Sequence, residues 1–526
     1  MAAPPIVWSI AGTDSGGGAG LSADQRAADA CSVHLCPVVA AVTAQHSLAV
    51  RRVEAMPVDL IDAQLSALAE DMPPRVVKTG LLGGAEQVRL VARWIDRLRQ
   101  DGDVALVVDP VLGASSGGSF ADAATLQAYR DELLPRASVL TPNRREARAL
   151  LGHHGRDDDA AELPLLAAAL REAGAAAVCI TGGDSADRDG DVLDWLASEH
   201  ASGWLASPRI ATAHQHGTGC TFATSLAAAL ARGFVAADAA VIAKMATGGA
   251  LRAACAAGSG PGPVRAEPAF ITEPSLLPRL SWGEEPRFEA VAQAAARPLG
   301  LYAIVDSSER LQQVLAAGVR TVQLRIKTPP DVDAAWTTGL RSSLQQAITA
   351  CREAGAELFI NDHWQLAREL GAGAVHLGQE DLLALGEAGR AELAASGLAL
   401  GISTHSLWEL CRARSLAPRY IACGPVWPTL TKAMPWRPQG LVNLRWWQRM
   451  AGAPVVAIGG ILSPERVQAA AEVGVDGVCV VRAIDGDAKV KVALLQQAMQ
   501  QGEAAAVAVS PGWPQSSLCG QAGPAG

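Results

Sequence analysis

Between Ile6 and about Ala257, short apolar runs alternate with segments of helical periodicity. The runs are "IVWSIAG", "CPVVAAVTA", "RVVKTG", "VALVVDPV", "ASVLTPN" and "AAAVCITGGD", each ending in small or polar residues. Segments between them, such as Glu86–Arg99, repeat Ala, Leu and Arg at helical spacing. Runs that are apolar throughout suit strands buried on both faces, so the pattern predicts a mostly parallel sheet with helices on both sides. Ligands of such sheets bind beyond the carboxyl ends of the strands, where the small and polar residues fall.

The rhythm breaks at "GSGPGPVRAEPAFITEPSLLPRLSWGEEPRFEA", rich in Gly, Pro and Glu. A second alternation follows in "LGLYAIVD", "RTVQLRIK", "AELFIND", "GAVHLGQED", "LALGIST", "RYIACGPV", "APVVAIGGI" and "VDGVCVV". Eight strands, each followed by a helix or loop, predict a (β/α)8 TIM barrel with its site at the C-terminal strand ends. The expected organisation is an α/β/α domain over 1–269, a linker over 270–297, the barrel over 298–500 and a disordered tail over 501–526.

Composition narrows the function. The 526 residues carry a formal net charge of −9, which disfavours nucleic acid or an anionic membrane as the main partner. Small anionic substrates remain compatible, and a homo-oligomer is left open. The ten cysteines show no zinc spacing and read as reduced thiols. No apolar stretch is long enough to cross a bilayer, and the start "MAAPPIVWSIAGTD" lacks the basic region of a signal peptide. The localisation expected from these features is cytoplasmic.

In the first half, "HGTGCTF" runs from a turn into an Ala-rich helix. The amides of Gly217, Thr218 and Gly219 suit a phosphoryl group, and Cys220 would face the attacking hydroxyl. "TPNRREA" sets Asn143 and Glu146 three apart, either a capping box or a carboxylate reaching Mg²⁺ through water. "AGTDSGGGAG" has no Lys-Ser or Lys-Thr after it, so it is no Walker loop; Asp14 or Asp24 offers a polar handle there.

In order, "AGTDSGGGAGLSAD", "VTAQHS", "VKTGLLG", "DPVLGASSG", "TPNRREA" and "HGTGCTF" resemble hydroxymethylpyrimidine kinase of the ribokinase-like superfamily, over about residues 6–265. The resemblance implies two successive ATP-dependent phosphorylations, of hydroxymethylpyrimidine and then of its monophosphate. It puts Asp24 and Gln45 on the pyrimidine, Glu146 near Mg²⁺ and Cys220 in the place of the base, where a helix N-terminus can activate a thiol. Thr181 stands where the family carries a Lys, and His46 where it carries an Asn.

In the second half, side-chain alternation along "VQLRIK" puts Gln323, Arg325 and Lys327 on one face, pointing into the barrel. Asp362 and Asp381 follow successive strands and reach the same rim. With Arg325, Lys327 and Lys432 they suggest Mg²⁺ and cations around a diphosphate. Thr429 and Thr431 in "PTLTK" add hydroxyls for phosphate oxygens, while Gly459, Gly460, Val481 and Arg482 lie at the last two strands, where barrels bind phosphate.

These motifs, with "GIST" and "PQGL", are similar to thiamine phosphate synthase over about residues 298–497. That resemblance implies joining of hydroxymethylpyrimidine diphosphate to thiazole phosphate, with diphosphate leaving. It gives Arg325, Lys327, Asn361 and Lys432 to the diphosphate and Asp362 and Asp381 to Mg²⁺. Gln323, His376 and Ser403 face the pyrimidine or help expel the leaving group. Arg482 replaces a small Ser. The two halves fit one bifunctional enzyme; the alternative is a pyridoxal-type kinase fused to a tautomerase-like or inactive barrel.

Overall fold

The computed structural model describes residues 3–113, 120–153, 162–183, 190–289, 298–429 and 435–518. These divide into two compact units meeting at Pro286 and Arg287.

The first unit is built on one ten-stranded sheet. Its strands are β1 (Ile6–Asp14), β2 (His34–His46), β3 (Ala49–Ala55), β4 (Val76–Thr79), β5 (Ala105–Val108), β6 (Val139–Leu140), β7 (Val178–Ile180), β8 (Asp191–Ala197), β9 (Ser202–Pro208) and β10 (Arg279–Leu280). They lie in the order β10-β9-β8-β7-β6-β5-β4-β1-β2-β3. The six runs read from the sequence are β1, β2 and β4–β7, and every pairing among them is parallel. The edges are antiparallel: β3 on one side, β8, β9 and β10 on the other.

After β2 and β3 the chain returns to the other side of β1 to lay down β4. The loops leaving β1 and β4 therefore part in opposite directions and open a crevice at their carboxyl ends. Every position of β4 is buried, Lys78 included.

The second unit closes eight parallel strands into a barrel: β11 (Gly300–Val305), β12 (Thr321–Leu324), β13 (Glu357–Asn361), β14 (Ala374–Leu377), β15 (Ala399–Thr404), β16 (Tyr420–Cys423), β17 (Val455–Ala457) and β18 (Gly477–Val480). Pairing of β11 with β18 completes the ring. Inside, Tyr302, Phe359 and Tyr420 pack edge to face and fill much of the interior. Gly401, paired with Tyr420, makes room for that ring: a Cβ there would lie 2.4 Å from it.

Two expectations need correction. Residues 270–280 are not plain linker; 3₁₀ turns at Pro268–Thr272 and Pro274–Leu276 lead into β10, which extends the first sheet because Phe270, Leu276 and Leu280 are apolar enough to bury there. Nor is all of 501–526 disordered. The last helix runs Ala488–Ala505, and Gln515 and Ser517 bond back to Asn443 and Arg437. Residues 290–297 and 519–526 lie outside the described residues.

Candidate active sites

At the crevice of the first sheet, Asp14 ends β1 and gathers the glycine-rich loop. Its Oδ1 accepts from Gly16 N–H at 2.8 Å, and its Oδ2 from Gly18 and Ala19 N–H at 3.0 and 2.8 Å. The same Oδ2 lies 2.8 Å from His216 Nε2. Burial opposes ionisation of Asp14, but His216 and these amides win and hold its carboxyl down at about 2. The end of the Gln45 amide lies 3.2 Å from the same His216 nitrogen. Gln45 thus faces the turn that precedes Cys220.

That turn and the glycine-rich loop touch backbone to backbone. A Cβ on Gly217 (φ +89°) would lie 2.2 Å from Gly18 O, and one on Gly18 would meet His216 at 2.2 Å. Gly217 then opens the helix Thr218–Ala231, and no side chain caps it. The space beside Gly219 is open, so helix-start amides can meet an anion there, although Thr218 N–H already donates to Gln215 O at 3.3 Å.

Behind this turn sits a sealed ionic cluster. Lys78 Nζ bonds both oxygens of Asp24 at 3.0 Å and stands 3.9 Å from Asp109 Oδ2. Ser9 and Thr224 hydroxyls donate to Asp24, each at 2.7 Å. Asp24 is fully buried with both oxygens engaged, so it faces Lys78 rather than a pyrimidine, which corrects the expectation. Its helix, Gly20–Ala30, turns that position toward the sheet. Burial drives the Asp109 carboxyl up to about 6 against the pull of Lys78, and among the described residues its Oδ2 has no hydrogen-bond partner. The Cys220 thiol, expected to be activated at a helix N-terminus, is instead pushed up to about 12: burial, Asp24 and Asp109 outweigh Lys78 and the Gly20 amide.

Lys78 was missed as a site residue; Asp109, at the end of "VVDPV", reads from the sequence as equally suited to cap a loop or to act. A Lys following two valines in "RVVKTG" was the available signal, since an ammonium in a buried strand demands carboxylates around it.

Glu146 forms the capping box: its Oε2 accepts from Asn143 N–H, and Asn143 Oδ1 from Glu146 N–H, both at 2.9 Å. Both Glu146 and Asp109 act on the buried Tyr129, so the two carboxylates border one region. Thr181 bridges to Asn143, and the neighbouring Gly182 N–H donates to Asp194, which binds Lys244 Nζ at 2.8 Å. His46 is exposed, its Nδ1 accepting from Leu48 N–H.

In the barrel, β12 ends at Leu324, so only Gln323 of the expected trio points inward; Arg325 and Lys327 lie on the loop beyond, half-buried and exposed. The strand stops because Arg325–Lys327 would carry charge into a filled interior. Gln323 Nε2 bonds Asn361 Oδ1 at 2.6 Å and its Oε1 lies 3.3 Å from Tyr302 Oη. Tyr302 and Tyr420 hydroxyls stand 2.9 Å apart. His376 joins Tyr420 Oη through Nδ1 at 2.7 Å and Ser403 Oγ through Nε2 at 2.9 Å. Burial, aided by Arg325, lowers His376 to about 4, so the ring is neutral at pH 7.

Asp362 follows Asn361 at the rim with a left-handed φ of +65°. Its carboxyl is raised by burial and by Asp381 opposite, while Arg325 and the Asn361 amide oppose the rise. Asp381 is exposed and accepts from Gly378 N–H at 3.0 Å. Among the described residues no group of three His, Cys, Asp or Glu side chains could hold a metal. Two carboxylates at one barrel rim nonetheless suit Mg²⁺, which takes one or two carboxylates and completes its shell with water and ligand oxygens.

Thr429 is half-buried and Arg482 exposed, at the start of a 3₁₀ turn after the partly buried Val481. Gly460 (φ +70°) leaves no space for a side chain, since a Cβ would lie 2.6 Å from Trp427 O. Thr431 and Lys432 lie outside the described residues.

Residues 14–265 match the phosphomethylpyrimidine kinase family model, and residues 301–484 the thiamine monophosphate synthase model. A probable thiamine biosynthetic bifunctional enzyme of Oryza sativa subsp. japonica, described as chloroplastic, is 33% identical over 87% of this chain and 81% of its own length. A chloroplastic thiamine biosynthetic bifunctional enzyme of Arabidopsis thaliana is 34% identical over 87% and 85%. Among solved structures, a pyridoxal kinase from Staphylococcus aureus aligns at 28% identity over 50% of this chain and 93% of its own, with a TM-score of 0.45. Among the described residues no helix is long and apolar enough to cross a membrane.

Proposed function

The chain belongs to the family of bifunctional thiamine biosynthetic enzymes, a hydroxymethylpyrimidine and phosphomethylpyrimidine kinase joined to a thiamine-phosphate synthase, and from that premise we propose how its residues divide the work. In the kinase, Gln45 orients the pyrimidine beside the glycine-rich loop, and the amides of Gly217, Thr218 and Gly219 receive the phosphoryl group of ATP. The observation that supports this reading is the contact of those two loops, which would bring acceptor and phosphoryl group side by side.

A thiol held near 12 is no ready base at pH 7. Phosphoryl transfer through a loose transition state asks mainly for position and charge, and the acceptor proton leaves late. Cys220 therefore hydrogen-bonds the acceptor hydroxyl, and Asp109, whose Oδ2 has Lys78 Nζ at 3.9 Å but no hydrogen-bond partner among the described residues, is the group in that region able to take up a proton near neutrality. Asp109→Asn is expected to remove an acid limb near pH 6 from the kinase profile. In the parent enzyme activity falls below that pH because protonation deletes the carboxylate. A profile unchanged by the substitution would rule Asp109 out.

Mg²⁺ bound near Glu146 supplies charge neutralisation to the phosphates of ATP. Glu146→Gln keeps an acceptor for the Asn143 amide but removes the charge. Thermal stability is expected to stay within about 0.5 kcal/mol, while KM for ATP rises about tenfold. Equal KM in the two proteins would leave Glu146 as a cap alone.

In the barrel, Arg325, Lys327, Asn361 and Lys432 bind the diphosphate, and Asp362 and Asp381 would hold Mg²⁺, which neutralises the leaving group. Gln323, His376 and Ser403 face the pyrimidine; a neutral His376 adds no positive charge beside a developing carbocation. Thr429, Thr431, Gly460, Val481 and Arg482 surround the thiazole phosphate.

The direct test supplies purified protein with hydroxymethylpyrimidine, thiazole phosphate, ATP and Mg²⁺. Thiamine phosphate formed in that one vessel, and absent without ATP, is the expected result. Accumulated pyrimidine diphosphate would sink the barrel assignment, and untouched pyrimidine the kinase assignment.

A further inference from the structure

Past the helix Ala488–Ala505 the chain turns back onto the barrel, and one side chain grips it there. Asn443, on the helix Gly440–Met450, accepts from Gln515 N–H through Oδ1 at 2.6 Å and donates to Gln515 O through Nδ2 at 2.9 Å. Two residues on, Ser517 O accepts from Arg437 N–H at 2.8 Å. Pro511, Pro514, Ser517 and Leu518 are buried by this docking. Asn443 is itself 1% exposed, and a buried amide costs stability unless its groups are met. The tail supplies the partner of its oxygen and of one of its N–H groups.

From that clip, hydrogen bonds lead inward to the mouth of the barrel. Asn443 Nδ2 also donates to Gln439 Oε1 at 2.8 Å, and the buried Gln439 donates through Nε2 to His405 O at 2.7 Å. The N–H groups of Gln439 and Gly440 bond Pro425 O and Val426 O at 2.7 and 2.9 Å. Those of Val426 and Trp427 bond Ile458 O and Gly459 O at 2.8 and 3.1 Å. Arg466 Nη1 donates to Gly460 O at 2.5 Å and lays its guanidinium over the Trp427 ring. Backbone segments 437–440, 425–427 and 458–460 thus lie edge to edge, with the tail along the outermost. The inner two lead directly to Thr429 and Gly460.

We propose that segment 511–518 is a strap that positions the thiazole-phosphate end of the synthase site, acting through Asn443 and Gln439 on the turns that bear Thr429 and Gly460. This rests on the synthase reading for the identity of the ligand. Asn443 and Gln439 are positioning residues, since they act only through the backbone they hold. Gly460 passes on any shift of its neighbour: its φ is +70°, and a Cβ there would lie 2.6 Å from Trp427 O.

The test deletes residues 511–526 from the full chain and, in a second protein, makes Asn443→Leu, which keeps the volume and removes the clip. Synthase turnover is read on supplied pyrimidine diphosphate with thiazole phosphate varied, and kinase turnover on the same preparation is the control. In both variants KM for thiazole phosphate is expected to rise about tenfold while kcat stays within about threefold. A merely structural role does the reverse, because loss of folded protein lowers apparent kcat at constant KM. That pattern, or unchanged constants, overturns the proposal. Amide hydrogen exchange on peptides spanning 425–429 and 456–462 is read alongside, and faster exchange is expected in both variants. If the deleted chain does not fold, Asn443→Leu carries the test. A parent protein without synthase turnover would sink the synthase reading, and the strap then stands or falls by exchange, equal protection in parent and variants overturning it.

Discussion

Lys78→Met is expected to destabilise the kinase unit by about 3–5 kcal/mol, because it strands Asp24 and Asp109 as buried carboxylates without their cation. The ammonium is fully buried, bonds both Asp24 oxygens at 3.0 Å and stands 3.9 Å from Asp109. Burial alone would lower its pKa, yet Asp24, Cys220 and Asp109 together raise it above the ordinary lysine value, so the charge is held firmly. Hydrogen exchange in rising urea, read on peptides from residues 3–286, measures the loss within that unit. Kinase turnover should vanish with it while the barrel's reaction on supplied pyrimidine diphosphate continues. Asp24→Asn added to Lys78→Met removes one stranded charge and should recover at least about 1 kcal/mol. Unchanged exchange in the single variant would mean the cluster contributes nothing.

Asp381→Ala should lower synthase turnover by about 10²–10³-fold and abolish its dependence on Mg²⁺, since one of two carboxylates near the diphosphate is then missing. The same side chain accepts from Gly378 N–H, so about 0.5–2 kcal/mol of stability goes with it. Asp381→Asn separates the two effects: an amide oxygen keeps the cap but binds the cation poorly. Kinase activity measured on the same preparation is the internal control. Turnover retained in both variants would place the metal elsewhere.

How much of this was legible depended on what each residue could show locally. Parallel strands buried on both faces read as unbroken apolar runs, so β1, β2, β4–β7 and all eight barrel strands stood out. The antiparallel edge did not. "DVLDWLA" carries two acids, and Asp194 is buried there only because Lys244, fifty residues on, meets it. The rim pair Asp362 and Asp381 was visible because acids past successive strands meet at one rim beside Arg325 and Lys327, although each alone could equally cap a helix. Asp24 was visible as a residue but not in its role, since nothing local says that its helix turns it onto Lys78. Tyr302 and Tyr420 looked like core aromatics, and they are; their hydroxyls acquire meaning only when a closed barrel brings β11 and β16 across from one another.

At Gly18 and Gly217 the glycine-rich loop and the turn that precedes Cys220 interlock without room for a single methyl between them. They come from chain segments some two hundred residues apart, yet mechanically they are one part. On the proposed placement of acceptor and phosphoryl group, a substitution that shifts either edge would shift the gap between them. The kinase accepts first an alcohol and then a longer phosphate ester, so the added length cannot be accommodated by spreading these two pieces. On the same proposed placement, it would be taken up by the substrate turning in place between these two pieces.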